Sequence, residues 1–114
     1  MRYRGAMAFL SFGDNHHDLG LLQLGPDAAQ PDPHGIGLYH VASKVGDTLD
    51  ELRTCKAHLE KHGVPLIGMS DHGVSQSLYL ADPDGNEIEL YVDADPASWR
   101  GRVDEVMTTR PLRL

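Results

Sequence analysis

The sequence predicts an α+β domain: a mixed β-sheet covered by one main helix, in the order strand, helix, strand, strand, strand. Three observations predict it. Residues 37–45 (Gly-Leu-Tyr-His-Val-Ala-Ser-Lys-Val) are rich in β-formers. The next segment carries a capping box, Thr48 with Glu51, and an apolar stripe of Leu49, Leu52, Cys55 and Leu59 at helical spacing. Two alternating stretches, 74–80 and 86–92, flank Asp82-Pro83-Asp84-Gly85, a sequence made for a tight turn.

The elements follow in order. Residues 6–12 alternate as a strand that ends at Gly13-Asp14-Asn15, and 17–24 read as a second strand, making a hairpin. Residues 25–36 hold three prolines and form a linker. The helix that starts after Thr48 stops near Gly63, where a left-handed cap is expected, and Pro65 prevents its continuation. Residues 64–68 read as a short strand. Beyond Asp95 a helix over 97–107 is expected, followed by loose terminal residues. The organisation is therefore a two-strand remnant of an incomplete module (1–24), a linker (25–36), one complete βαβββ module (37–95) and a tail (96–114).

Charge and composition exclude several functions. Ten Lys and Arg against 17 Asp and Glu give a net charge of −7, with no basic stripe to neutralise phosphates or bind anionic lipid, so neither nucleic acid nor membrane is an expected partner. No apolar run approaches the ~18 residues of a spanning helix, and no secretory leader is visible; a cytoplasmic location is the expectation. Cys55 is the single cysteine, so it pairs with no other in the chain and reads as a small apolar residue of the helix.

On strands, successive side chains alternate between faces. Ile88, Leu90 and Val92 then share the helix side, while Glu87, Glu89 and Tyr91 share the other. Ser75, Ser77 and Tyr79 likewise oppose Val74, Gln76, Leu78 and Leu80. His40 and Ala42 alternate with Tyr39 and Val41. One face thus offers a carboxylate (Glu89), a phenol (Tyr79) and an imidazole (His40), which suits a divalent metal and an oxygenated ligand. By spacing alone a bland reading competes: a solvated glutamate, a hydrogen-bonded core histidine and a packing tyrosine. His58 and His62, four residues apart near the helix end, read as surface groups facing the negative end of the helix dipole.

Three segments resemble the vicinal oxygen chelate superfamily, and within it the extradiol catechol dioxygenases: Gly37-Leu38-Tyr39-His40-Val41-Ala42, His72-Gly73-Val74-Ser75 leading to Tyr79, and residues 80–91 (Leu-Ala-Asp-Pro-Asp-Gly-Asn-Glu-Ile-Glu-Leu-Tyr). The last marks the superfamily broadly, glyoxalase-type and antibiotic-resistance members included; the His-Gly-Val-Ser element is narrower. His17-Asp18 is similar to a His-Asp pair at the same place in catechol-cleaving members. The resemblance spans roughly residues 5 to 95.

It implies His40 and Glu89 as two ligands of a 2-His-1-carboxylate triad for Fe(II), with Mn(II) or another divalent metal as substitute. It implies His17 as an acid/base, and His72 and Tyr79 as groups that hydrogen-bond the substrate. The family's other histidine ligand sits on the opening strand of the first module, ahead of Met1, so the metal site is expected to be one ligand short. His16, on a strand, would face away from His17. The implied activity is oxidative ring cleavage of a catecholic aromatic with dioxygen. Two alternatives stay open: a non-catalytic small-molecule-binding module of the same superfamily, and a glyoxalase-type metal-dependent lyase. The uncovered remnant strands also predict a homodimer.

Overall fold

Alternation in the first stretch does produce a hairpin, shorter than its pattern suggests. The computed structural model describes residues 2–3 and 5–114, which divide into two units, Met1–Ile36 and Gly37–Leu114. In the first, β1 (Arg2–Tyr3), β2 (Met7–Leu10) and β3 (Leu19–Leu22) form an antiparallel sheet in that order. The register sets Leu10 opposite Leu19 and Ala8 opposite Leu21, so Ala8, Leu10, Leu19 and Leu21 share a face.

Residues 17 and 18, expected to open the second strand, belong instead to the loop over 13–18. Asp18 accounts for this: its carboxylate accepts from the Phe12 backbone N–H (2.8 Å) and from Asn15 Nδ2 (2.9 Å). Those bonds, Asn15 first, hold the Asp18 carboxyl below its ordinary range. His16 and His17 therefore do not alternate across a sheet; their Nδ1 atoms meet at 2.5 Å, and the His17 ring packs tilted against Phe9, 4.9 Å between ring centroids.

In the second unit the order is β4 (His40–Gly46), α1 (Leu49–Lys61), β5 (Gly68–Asp71), β6 (Ser75–Ala81) and β7 (Glu87–Asp93). Two short helices, α2 (Pro96–Trp99) and α3 (Val103–Val106), and a last strand, β8 (Arg110–Pro111), complete it. The sheet runs β4-β7-β6-β5-β8, with β4 parallel to β7 and the other neighbours antiparallel. The first and last strands of the βαβββ module are thus adjacent, as the mixed sheet requires.

Local chemistry explains the helix. Thr48 Oγ1 accepts from the Glu51 N–H (3.2 Å), while Glu51 Oε2 accepts from the N–H groups of Thr48 (2.9 Å) and Asp47 (2.7 Å). A Cβ at position 46 would meet the Glu51 side chain at 2.7 Å, so Gly46 makes room for that fold-back. His62 caps the far end, its Nδ1 2.8 Å from the His58 carbonyl, and Gly63 follows at φ +70°. Leu52, fully buried, joins Leu78 and Val92 in the core, with Val45, Cys55, Leu59, Met69 and Leu90 packed around them. Burying one such leucine contributes about 1.5–3 kcal/mol. Partial burial of Cys55 itself pushes its thiol up.

Three further sequence expectations need correction. The strand expected at 64–68 lies at Gly68–Asp71. Val64 N–H is taken by the Leu59 carbonyl, Pro65 has no N–H, and pairing with β6 begins only when Ile67 N donates to Tyr79 O. The single helix expected over 97–107 is broken in two around Gly101, which sits at φ +81°. The tail is not loose: β8 pairs with β5, and Leu112 and Leu114 pack on the core cluster. Among the described residues no helix is long and apolar enough to cross a membrane.

Candidate functional site

The sheet's period-2 alternation divides β6 and β7 cleanly. Leu78, Leu90 and Val92 turn to the helix, while Ser75, Tyr79, Glu87, Glu89 and Tyr91 line an open cleft of about 580 Å³ on the other face. His40 and Ala42 of β4 form a further wall, and Ile67, Gly68, Ser70 and His72 the opposite one. Met107 and Thr109, from the tail, close one side. Tyr39, Ile67 and Met107 are exposed and give the cleft an apolar rim.

Register brings the polar groups together. Glu89 pairs with Tyr79 across β6–β7 and with Ala42 across β4–β7, which puts His40 one pleat away on the same face. His40 Nε2 lies 3.1 Å from Glu89 Oε2. The other carboxylate oxygen, Oε1, accepts from Ser77 Oγ (2.5 Å) and faces the Tyr79 hydroxyl at 3.0 Å. That hydroxyl lies 2.6 Å from His72 Nε2, and His72 Nδ1 lies 3.0 Å from the Thr108 carbonyl. Burial, then the Glu89 carboxylate, push the Tyr79 hydroxyl up to about 12, so the phenol keeps its proton at neutral pH. It has one proton and two neighbours able to accept it.

Four of the five residues singled out in the sequence, His40, Glu89, His72 and Tyr79, therefore converge at one place. His17 belongs to the first unit, on the exposed loop before β3. Two contributors carry no sequence signal of their own. Ser77 falls on the Tyr79 face by alternation, yet nothing in a serine announces a carboxylate partner. Thr108 acts through a backbone carbonyl, which every residue has.

The donor set fits a divalent ion in part. An imidazole nitrogen and a carboxylate oxygen converge on one point, as ligands do. Among the described residues no third His, Cys, Asp or Glu joins them. His40 Nδ1 is buried without a hydrogen-bond partner, whereas metal-bound histidines usually donate that N–H to an acceptor. The pair supplies two corners of a coordination shell and no facial triad.

Residues 2–90 match the Glyoxalase/Bleomycin resistance protein/Dioxygenase superfamily. The chain belongs to that superfamily. Its βαβββ order and its Asp-Pro-Asp-Gly turn agree with membership. Among curated superfamily relatives, it is 42% identical over 88 residues to "Catechol-2,3-dioxygenase" of Bacillus subtilis (strain 168), covering 76% of this chain and 30% of the relative. It is 38% identical over 96 residues to "Biphenyl-2,3-diol 1,2-dioxygenase 2" of Rhodococcus globerulus, covering 80% and 48%. A third, "Biphenyl-2,3-diol 1,2-dioxygenase 3" of the same organism, is 36% identical over 93 residues, covering 77% and 46%. The chain thus spans less than half the length of these superfamily relatives. No solved structure matches it at a significant level.

Proposed function

We propose that this chain binds a catecholic aromatic and a divalent metal in the β4–β7–β6 cleft, as part of an extradiol, ring-cleaving dioxygenase-like protein. The observation that carries the reading is the Tyr79 hydroxyl held between His72 Nε2 and Glu89 Oε1, while His40 Nε2 meets the other oxygen of that carboxylate. Carboxylate and imidazole alone would serve a glyoxalase-type lyase equally. The phenol–imidazole pair beside them adds a second hydrogen-bonding station, suited to a substrate with two adjacent oxygens. The names of the three relatives support the same reading.

His40 and Glu89 would hold the metal, Fe(II) in this reading with Mn(II) as substitute, which when bound supplies Lewis acidity toward the diol and an electron route to dioxygen. In the net reaction one catechol and one O₂ give a ring-opened product that keeps both oxygen atoms, and the carbon–carbon bond beside the diol breaks. The apolar rim of Tyr39, Ile67 and Met107 takes the flat ring and keeps water from it. Tyr79 and His72 hydrogen-bond the diol and exchange its proton along their short contact. His17 is assigned the acid/base role in this reading.

The test is direct. The protein is loaded with Fe(II) without oxygen, then given catechol and O₂. Ring cleavage appears as a coloured product with one O₂ consumed per ring. His40→Ala and Glu89→Ala each abolish stoichiometric metal binding; full retention in both sinks the ligand assignment. With two protein ligands the affinity is weaker than that of a complete triad.

A second reading, a non-catalytic binding module, is favoured by the lack of a third ligand among the described residues. Catechol binding by calorimetry without oxygen uptake is its signature.

Two copies pair in this proposal. Leu10, Leu19 and Leu21 share a sheet face and are 40–51% exposed, with Phe12 and Leu24 more so. A second copy covers that face at the lowest cost in new structure.

A further inference from the structure

We infer that the C-terminal segment is a positioning element of the cleft, whose Thr108 carbonyl fixes the tautomer and orientation of the His72 ring. A carbonyl only accepts, so the ring nitrogen 3.0 Å from Thr108 O carries a hydrogen. In the neutral ring this leaves Nε2 with its lone pair toward Tyr79, 2.6 Å away. A free histidine side chain prefers the opposite arrangement, with its hydrogen on Nε2. The tail therefore selects the less common tautomer and aims its basic nitrogen at the phenol. Thr109 Oγ1, 3.3 Å from the same Nδ1, is a weaker second partner.

The segment is built to hold this pose. Thr108 N–H donates to the His72 carbonyl at 2.9 Å, so residue 108 clasps both the backbone and the ring of residue 72. Next to it Gly73, at φ +76°, has space where a Cβ would meet the Val106 carbonyl oxygen at 2.6 Å. Beyond it β8 pairs with β5, setting Arg110 opposite Asp71, and Leu112 and Leu114 pack on the core. Asp71 is held in turn by the Gly73 N–H at 2.8 Å, which keeps its carboxyl below the ordinary range. These bonds tie the tail to the β5–β6 turn and to the His72 ring.

As a statement about the ring, the inference stands without the ring-cleaving reading; only its effect on turnover rests on that reading. The experiment is nitrogen-15 NMR of the imidazoles in the full chain at mildly alkaline pH, with His72 assigned by the signal lost in His72→Gln. The native chain shows Nδ1 protonated and Nε2 bare. Thr108→Pro removes the N–H of the clasp at an exposed position that follows an extended residue, which a proline accepts. In that variant, and in Gly73→Ala, which displaces Val106, His72 reverts to mainly Nε2–H. Thr109→Val leaves the tautomer unchanged.

An Nε2–H ring in the native chain overturns the inference. So does an Nδ1–H ring that persists in a folded Thr108→Pro whose tail amides have lost their protection. If the protein cleaves catechols, Thr108→Pro also lowers turnover by about ten- to a hundredfold with metal content unchanged. A tautomer that behaves as stated in a protein without ring cleavage leaves this inference standing and removes the other.

Discussion

Ser77 donates to Glu89 from inside the sheet: its Oγ lies 2.5 Å from Oε1, and the serine is fully buried. The carboxylate is therefore aimed by a neighbour two residues from Tyr79 on the same strand. Ser77→Ala deletes that donor and little volume. We expect stability to fall by about 1–3 kcal/mol, measured by denaturant titration. Metal affinity, read by competition with a chelator, should fall about ten- to a hundredfold. Unchanged affinity would mean that Tyr79 and His40 hold the carboxylate in place without the serine.

His17 makes no contribution to metal binding in the proposed reading. In an active preparation, His17→Ala should lower turnover by on the order of 10²–10⁴-fold, the usual share of a general acid/base. Metal content, by elemental analysis, should stay constant. Full activity in the variant removes His17 from the chemistry.

The Asp82 turn gives a pH signature. Asn86 Nδ2, then the N–H groups of Asn86, Asp84 and Gly85, hold the Asp82 carboxyl below its ordinary 3.8. A carboxyl with a depressed folded-state value contributes stability that is present above 3.8 and lost as pH falls through the lower folded value. Urea midpoints measured from pH 5 downward should therefore drop more steeply in the native protein than in Asp82→Asn. Because the turn is solvent-exposed, the difference is small, on the order of a few tenths of a kcal/mol. Parallel curves would show that the carboxylate carries no net stability.

Light scattering at micromolar concentration checks the pairing of copies. A mass twice 12.5 kDa is expected. Replacing Leu19 and Leu21 with Ser should shift the population to monomer without loss of the second unit's circular dichroism signal. A monodisperse native monomer would show that the first unit's apolar face needs no second copy.

Much of this was legible in the sequence, for stated reasons. Thr48 and Glu51 announce a helix start because their reciprocal bonds need only local spacing. The division of β7 into Glu87-Glu89-Tyr91 and Ile88-Leu90-Val92 follows from a period of two. Less legible were features decided by partners far along the chain. Gly68-Met69-Ser70-Asp71 has little strand character and becomes β5 through its neighbours β6 and β8. Arg110 and Pro111 form β8 only because Asp71 and Ser70 present an open edge. Residues 17 and 18 read as the start of a strand until Asp18 is seen to tie them into the loop that begins at Gly13.

The position of β4 in the sheet has a last consequence. Among the described residues β4 pairs with β7 alone, by a parallel ladder, so His40 rides on an edge while Glu89 sits in the interior. Parallel partners distant in sequence are slow to come together, and edge ladders open most easily. Amide hydrogens of β4 should exchange faster than those of β6 and β7. Anything that bridges His40 to Glu89 then acts as a clasp between this edge strand and the sheet's interior. Slowed exchange along 40–46 would register occupancy of the cleft even when no product is formed.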